Sequence, residues 1–534
     1  MANVVLRVSA LVVVAFALAL VYLRAPESGA RSERPLCERC NVVLISFDTV
    51  RADHVGAYGY KRPTTPNVDA LAARSAVFER AISQAPWTLP AHGSMLSGLY
   101  PARLGVLRYP ATRILSDKYP TLGEMFQSAG YATAGFTGGG FVSDHYGFDR
   151  GFDIYATNGR RFEHNLDDTI DWVGQHKDKP FFLFFHGYDA HRPYYSKAAD
   201  KKAMDLPAGV EADQSRFCLR DDRDKPSPER LEKVVRYYDA SIHHGDRAIG
   251  VLLESLANMG LMDKTVILLT SDHGEEFFEH GNCDHVRFLY NESVHVPYTV
   301  YVPGFTVDGL TFGGLIPASI SVARTLLDLV GIDHAMPGVT LLPMLQGKQK
   351  SFPVVYSEAD SAPGVLGSRG RNIAMTQDGD KLIAYTDEGT DEAFDLEKDP
   401  GELEPLPERN LAYLMRQALR AWHDALKPLP RPTSGPRNKA KDGAKDGGPG
   451  STVPADGESD GVEEGGEGAG ADKAAARAAR AEAKRNRAEP GAKPNGAADK
   501  PKSEKKGSDA ANDEEEMVVP KELEESLKSL GYLE

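Results

Sequence analysis

Cysteine is scarce. The 534 residues hold four: Cys37, Cys40, Cys218 and Cys283. That excludes a disulfide-dense scaffold. Cys37 and Cys40 form a CxxC with no second pair behind it, so a structural zinc site lacks half its ligands. No thioredoxin-like setting surrounds the pair, and a local disulfide or two free thiols is the expectation. Basic residues are also in deficit, with 62 Lys and Arg against 77 Asp and Glu and a net charge of −15. A nucleic-acid surface, which needs clustered cations, is excluded. Long apolar runs are missing too. The longest, Val8 to Leu23 between Arg7 and Arg24, falls short of the roughly 20 residues of a membrane-crossing helix. It fits the apolar part of a signal peptide, with Ser28 and Ala30 as a small-x-small cleavage pattern. Residues 1–30 are therefore expected to direct export to the periplasm or the extracellular space, or to stay as an N-terminal membrane anchor. Between Lys427 and Glu516 large apolar residues nearly vanish. Such a stretch cannot bury enough surface to offset its ordering entropy, so 428–516 is expected to be a disordered charged insertion.

What remains is regular. Hydrophobic residues make up 41% of the chain, enough for a sizeable core, and the length suits a large α/β domain with a smaller partner. Asn41–Phe47, Phe181–Phe185 and Val266–Thr270 are short apolar runs and read as buried strands. Helical patterns such as Asn67–Ser75 and Glu229–Asn258 fall between them. Alternation of this kind predicts a mostly parallel sheet between helices over 41–346. Beyond Gly347 the pattern changes. Val354–Glu358, Asn372–Met375 and Leu382–Tyr385 read as antiparallel strands and Leu411–Leu426 as a helix, a C-terminal α+β subdomain over 347–427. Leu523, Leu527, Leu530 and Tyr532 make 517–534 a candidate docking segment.

In open parallel sheets, sites form at the carboxyl ends of strands. Here one strand runs into Asp48, a second into His186, Asp189 and His191, and a third into Asp272 and His273. A lone residue of this kind is commonly a cap or turn residue; three such ends in one sheet point to a metal or acid–base site. The segment Pro86–Gly98 adds Thr88, two residues before Pro90. A proline suits a first helical turn, so Thr88 falls at a helix N-terminus, where backbone N–H groups favour an anion. A hydroxyl there is either an N-cap or a nucleophile toward a phosphoryl or sulfuryl centre.

These residues sit within several ordered motifs. Asn41–Asp48 is followed by Arg51-Ala-Asp53, Thr65-Pro-Asn-Val-Asp69, Thr88-x-Pro90-x-His92 and Ser97-Gly-Leu-Tyr-Pro101. Later come Ser271-Asp-His-Gly274, Glu279-His-Gly281, Leu289-Tyr-Asn-Glu292 and Phe394-Asp-Leu-Glu-Lys-Asp-Pro400. The set resembles the sulfatase family of the alkaline-phosphatase superfamily over about residues 41–427. The resemblance implies an alkaline-phosphatase-like fold and a metal-dependent hydrolase of sulfate or phosphate esters. It also exposes departures. The family's nucleophile is a formylglycine made from Cys or Ser, which Thr88 cannot become. His92 replaces the signature arginine, Thr49 a metal aspartate and His273 an asparagine. Val286 lies near the leaving-group lysine, with His285 and Arg287 beside it.

The substitutions imply metal ligands Asp48, Thr88, Asp272 and His273, and catalytic groups Thr88, His92, His191 and His285. One nitrogen ligand and less negative charge favour manganese or zinc over calcium, with one or two ions. Expected substrates are small-molecule, glycan or lipid esters, phosphate ester or diester ahead of sulfate, with no nucleic-acid partner. His191 is expected to protonate the leaving oxygen from a pKa near neutrality. Residues 8–23 are a candidate membrane tether. A phosphoethanolamine- or phosphoglycerol-type transferase, or a binding protein that kept the fold, are the alternatives.

Overall fold

The computed structural model describes residues 34–109, 115–207, 226–306, 308–362, 369–377, 379–407 and 410–426. The expected leader at 1–30, the charged insertion at 428–516 and the docking segment at 517–534 lie outside the described residues. Among the described residues, no helix is long and apolar enough to cross a membrane.

The strands are β1 (Asn41–Phe47), β2 (Ala76–Ile82), β3 (Arg108–Tyr109), β4 (Ala132–Phe136), β5 (Ile154–Ala156), β6 (Phe181–Gly187), β7 (Thr265–Thr270), β8 (Glu276–Phe277), β9 (Cys283–Asp284), β10 (Tyr298–Tyr301), β11 (Leu310–Pro317), β12 (Val355–Ser361), β13 (Arg371–Gln377), β14 (Asp380–Tyr385) and β15 (Thr390–Asp395). Eight form one sheet in the order β11-β2-β10-β7-β1-β6-β4-β5. All of it is parallel except β10, which runs against both neighbours. The α/β architecture expected from the alternating pattern is therefore present.

The central strands are apolar at every position because both faces are covered. Val42 and Leu44 of β1, Phe182 and Phe184 of β6, and Val266 and Leu268 of β7 enter one core. Val43, Ile45, Phe181, Leu183, Phe185, Ile267 and Leu269 enter the other. A strand's period of two makes this division. The helices that matter here are α1 (Pro66–Ala72), α2 (Thr88–Ser97), α3 (Phe162–His176), α4 (Pro228–Asn258), α5 (Ala318–Val330) and α6 (Asn410–Asp424). The first core packs under α2 and α5, the second under α1, α3 and α4.

A second sheet, β15-β14-β13-β12-β3, holds four antiparallel strands and the short β3, parallel to β12. Residues 108 and 109 thus cross the boundary expected at 346/347. Trp422 of α6 stacks on Tyr356 of β12, with ring centroids 4.0 Å apart. The Glu358 N–H donates to the Gln84 carbonyl (2.9 Å), which ties this sheet to the segment just before α2.

Candidate functional site

Registers place the site. Ser46 of β1 lies opposite His186 of β6 and Thr270 of β7, so the residues that follow these three central strands emerge together at one sheet edge. Asp48, Asp272 and His273 are fully buried there, and Thr88 nearly so. Their ligand-type atoms, those of Asp48, Asp272 and His273, lie within 4.8 Å of one another.

Thr88 is the first residue of α2, and Trp87 is its N-cap without a side-chain cap bond. The Thr88 hydroxyl is therefore not spent on capping. Its Oγ1 lies 3.4 Å from Asp48 Oδ2 and 3.4 Å from His273 Nε2. Pro90 sits in the first turn as expected, where its missing N–H costs nothing.

Each imidazole has a defined direction, because a carbonyl can only accept and a backbone N–H can only donate. His273 Nδ1 donates to the Gly274 carbonyl (2.9 Å), so Nε2 presents a lone pair, 3.2 Å from Asp272 Oδ2. Burial pushes the His273 pKa down to about 4, which keeps that lone pair free at neutral pH. His186 is the reverse. Its Nδ1 accepts the Gly138 N–H (3.2 Å), and its Nε2–H points at Asp48 Oδ2, 3.4 Å away. It orients a ligand and is not one itself.

His92, expected among the catalytic groups, has both nitrogens engaged. Nδ1 donates to the Thr88 carbonyl (2.9 Å) and Nε2 accepts from the Ser46 hydroxyl (2.8 Å). It holds the first turn of α2 in place and offers no nitrogen to a substrate. His191 does not have the pKa near neutrality expected of it. Burial, with the nearby His285 and Arg160 charges, pushes its pKa down to about 3, which makes it the neutral imidazole whose Nδ1–H donates to the Arg192 carbonyl (2.6 Å). His285 is shifted the other way. Burial lowers this imidazole, but Asp284 and Glu275 outweigh it and raise its pKa well above the usual value. His285 Nδ1 lies 3.0 Å from Asp284 Oδ1 and 3.2 Å from Glu275 Oε1. Its ring packs on those of His273 (centroids 4.5 Å) and His191 (5.1 Å).

Glu275 and Asp284 have no counterpart in the sequence reading. The β8–β9 hairpin pairs Glu276 with Asp284 and so brings both acids to one imidazole. Asp284, directly before His285, was the only local signal. Thr49 is likewise unexpected in its role. It adopts a left-handed backbone (φ 59°), which costs a β-branched residue about 1–3 kcal/mol. In return its N–H reaches Asp272 Oδ1 (3.2 Å), while Tyr238 donates to its carbonyl (2.7 Å).

A cation fits the centre. Asp48 Oδ1 and Asp272 Oδ2 are buried and make no hydrogen bond among the described residues. Burial, then the Asp272 charge, push Asp48 well above the usual carboxylate range. Burial also works to raise Asp272, yet the His273 and His92 imidazoles hold it below that range. Two buried carboxylates with orphaned oxygens, beside a neutral imidazole lone pair, are the donor set of a divalent metal.

A mostly parallel sheet with this centre at its carboxyl edge defines an ester hydrolase of the alkaline-phosphatase-like superfamily. Within it, the chain belongs to the sulfatase family: it matches Sulfatase over residues 40–332, and N-sulphoglucosamine sulphohydrolase, C-terminal, over 278–424. That family is metal-dependent. The chain is similar to the choline-sulfatase of Rhizobium meliloti, 28% identical over 428 residues, covering 67% of this chain and 80% of that one. It is 26% identical over 420 residues to the Delta 4,5-hexuronate-2-O-sulfatase of Bacteroides thetaiotaomicron, covering 68% and 84%. Among solved structures, the phosphonate monoester hydrolase of Agrobacterium radiobacter superposes with a TM-score of 0.57 at 19% identity, covering 73% of this chain and 96% of that one. The last likeness concerns the fold alone.

Proposed function

We propose that this chain hydrolyses anionic phosphate esters with Thr88 as nucleophile, and that Asp48, Asp272 and His273, with Thr88 beside them, hold one divalent cation. The observation that carries the reading is the Thr88 hydroxyl, uncapped at a helix start and 3.4 Å from both Asp48 and His273. A bound cation would supply Lewis acidity, polarising the ester and lowering the hydroxyl pKa. Two carboxylates and one imidazole favour manganese or zinc over calcium.

The chain's own groups do the rest. Thr88 already points its proton at Asp48 and releases it there as Oγ1 attacks phosphorus. The new Thr–O–P bond forms as the bond to the leaving oxygen breaks, and that oxygen takes its proton from His285 Nε2. Water then attacks the phospho-threonine, His285 accepts the water's proton, and the Thr–O–P bond breaks with the proton returning from Asp48. His92 fixes the helix turn that carries the nucleophile. Glu275, Asp284 and His285 could also hold an ion by distance. Arg192 already pairs with Asp284, and His285 Nδ1 faces both acids, so their charge is met without one.

A sulfate ester is the second reading, favoured by similarity to the two sulfatases above. Phosphate is preferred on chemistry, because Thr88 cannot form the aldehyde hydrate through which a formylglycine releases sulfate. The disulfide between Cys37 and Cys40 supports a non-cytosolic location.

The test is mass spectrometry of the native chain, loaded with manganese or zinc and acid-quenched during turnover of p-nitrophenyl phosphate. A phosphate ester on Thr88 is expected. Turnover with Thr88 unmodified throughout, at substrate saturation, overturns the nucleophile assignment.

A further inference from the structure

Arg160 lies in the turn between β5 and α3, with an exposed side chain. Its carbonyl accepts the Tyr188 N–H (2.8 Å), which pins it to the residue that follows β6 at the carboxyl edge of the sheet. A Cβ at Gly138 would come within 2.4 Å of the Tyr188 ring and 2.6 Å of the Arg160 carbonyl oxygen, so a glycine there permits the packing. The Arg160 guanidinium lies over the Tyr188 ring, 5.1 Å from its centroid. That ring is fixed in turn. Its hydroxyl donates to the Gly139 carbonyl (3.1 Å), and it stands edge-on to His186 (centroids 4.6 Å) and His191 (5.5 Å). His186 orients Asp48, and Asp48 faces the Thr88 hydroxyl.

Neighbouring cations are matched by acids. Arg51 pairs with Asp53, Arg161 with Glu163 and Arg192 with Asp284, and His285 lies between Asp284 and Glu275. The Arg160 guanidinium forms no ion pair and donates no hydrogen bond among the described residues. Its charge is still felt at the centre. At Asp48 it works against burial and the Asp272 charge, and at His191 it adds to burial and the His285 charge. A guanidinium held at the edge of an anion site, with no carboxylate of its own, has its partner in the ligand.

We propose that Arg160 reads the charge of the ester: its guanidinium grips two terminal oxygens of the phosphoryl group and so selects phosphate monoesters over phosphate diesters. Counting oxygens gives the reason. As Thr88 attacks in line, the leaving oxygen lies opposite it, and three oxygens surround phosphorus between the two. In a monoester all three are terminal, carry two negative charges between them, and offer a pair to the guanidinium fork. In a diester one of the three bears an organic group and a single charge remains, so the fork loses both an acceptor and attraction. The inference rests on the reading of the chain as a phosphate-ester hydrolase. It adds which esters are taken and the residue that chooses them.

The experiment has two arms, both on the full chain loaded with manganese or zinc, as native protein, Arg160→Ala and Arg160→Lys. Calorimetric titration with inorganic phosphate, against dimethyl phosphate as control, reads binding without turnover. Arg160→Ala should weaken inorganic phosphate about tenfold or more, as the loss of a charge-assisted pair implies, and change dimethyl phosphate by about threefold or less. Arg160→Lys keeps the charge without the fork and should fall between native and Arg160→Ala. Initial rates on p-nitrophenyl phosphate and methyl p-nitrophenyl phosphate are the second readout. In Arg160→Ala, kcat/KM should fall about tenfold or more on the monoester and about threefold or less on the diester. Equal losses on the two esters, a native chain that prefers the diester, or phosphate binding untouched by Arg160→Ala overturns the proposal. A native chain that turns over neither ester counts instead against the ester reading, and the titration still decides whether Arg160 holds phosphate.

Discussion

The Thr88 hydroxyl begins a helix without capping it, because Trp87 takes the cap position and α2 starts under the grip of His92. Asp48, on the neighbouring strand end, is in turn held by the His186 N–H. Thr88→Ser keeps the oxygen and loses the methyl that packs it. It is expected to retain turnover, reduced by about tenfold or less because the reacting atom is unchanged. A steady-state comparison checks this. His285 gives a pH prediction. Its pKa is raised, so the protonated acid is present through neutrality and lost as pH rises through the raised value. Turnover should therefore fall on the alkaline side. Asp284→Asn removes the largest opposing charge that holds the proton, and the alkaline limb of kcat should move to lower pH. A limb that stays in place would show that another group is the acid.

At the scale of elements, the second sheet is joined by buried charge to the helical turn at Asn291–Val294. Lys381 of β14 pairs with Glu402 at 2.7 Å, both side chains fully buried, and Glu402 also accepts the Asn291 N–H. Lys381→Met leaves a carboxylate buried without its partner. It should cost about 3–5 kcal/mol in urea unfolding, and Lys381→Met with Glu402→Gln should recover much of that. The elements themselves were unevenly legible. β1, β6 and β7 were plain because strands covered on both faces are apolar throughout, and α4 was plain from its long helical period. The predicted helix at Asn67–Ser75 ends earlier, at Ala72, where Ala73 and Arg74 turn toward β2. β2 was hidden by exposed Glu79, and β4, Ala-Thr-Ala-Gly-Phe, by small residues that carry little periodic signal. The antiparallel β10 shows nothing local that marks its direction. For the site, strand-end residues exposed Asp48, Asp272 and His273. Glu275 and Asp284 stayed hidden because only the β8–β9 pairing joins them to His285, and His92 misled because a motif position does not say which atom a ring nitrogen faces.

Across the whole molecule, the sheet converges three strand ends on a centre whose carboxylates are dry and mutually repelling. A cation there binds the folded chain and not the unfolded one. At a hundredfold excess over its Kd it should raise stability by about 2.7 kcal/mol. Chelation should lower the unfolding midpoint accordingly, most at neutral pH where both carboxylates are to be ionised. A midpoint indifferent to manganese, zinc and chelator would contradict the centre proposed here.

The most direct measurement compares initial rates of the metal-loaded full chain and its Thr88→Ala variant on matched p-nitrophenyl sulfate, phosphate monoester and phosphate diester. The account predicts that a phosphate ester turns over fastest and that Thr88→Ala lowers the rate by at least about a thousandfold, as loss of a covalent nucleophile does. Turnover that survives in Thr88→Ala would contradict it.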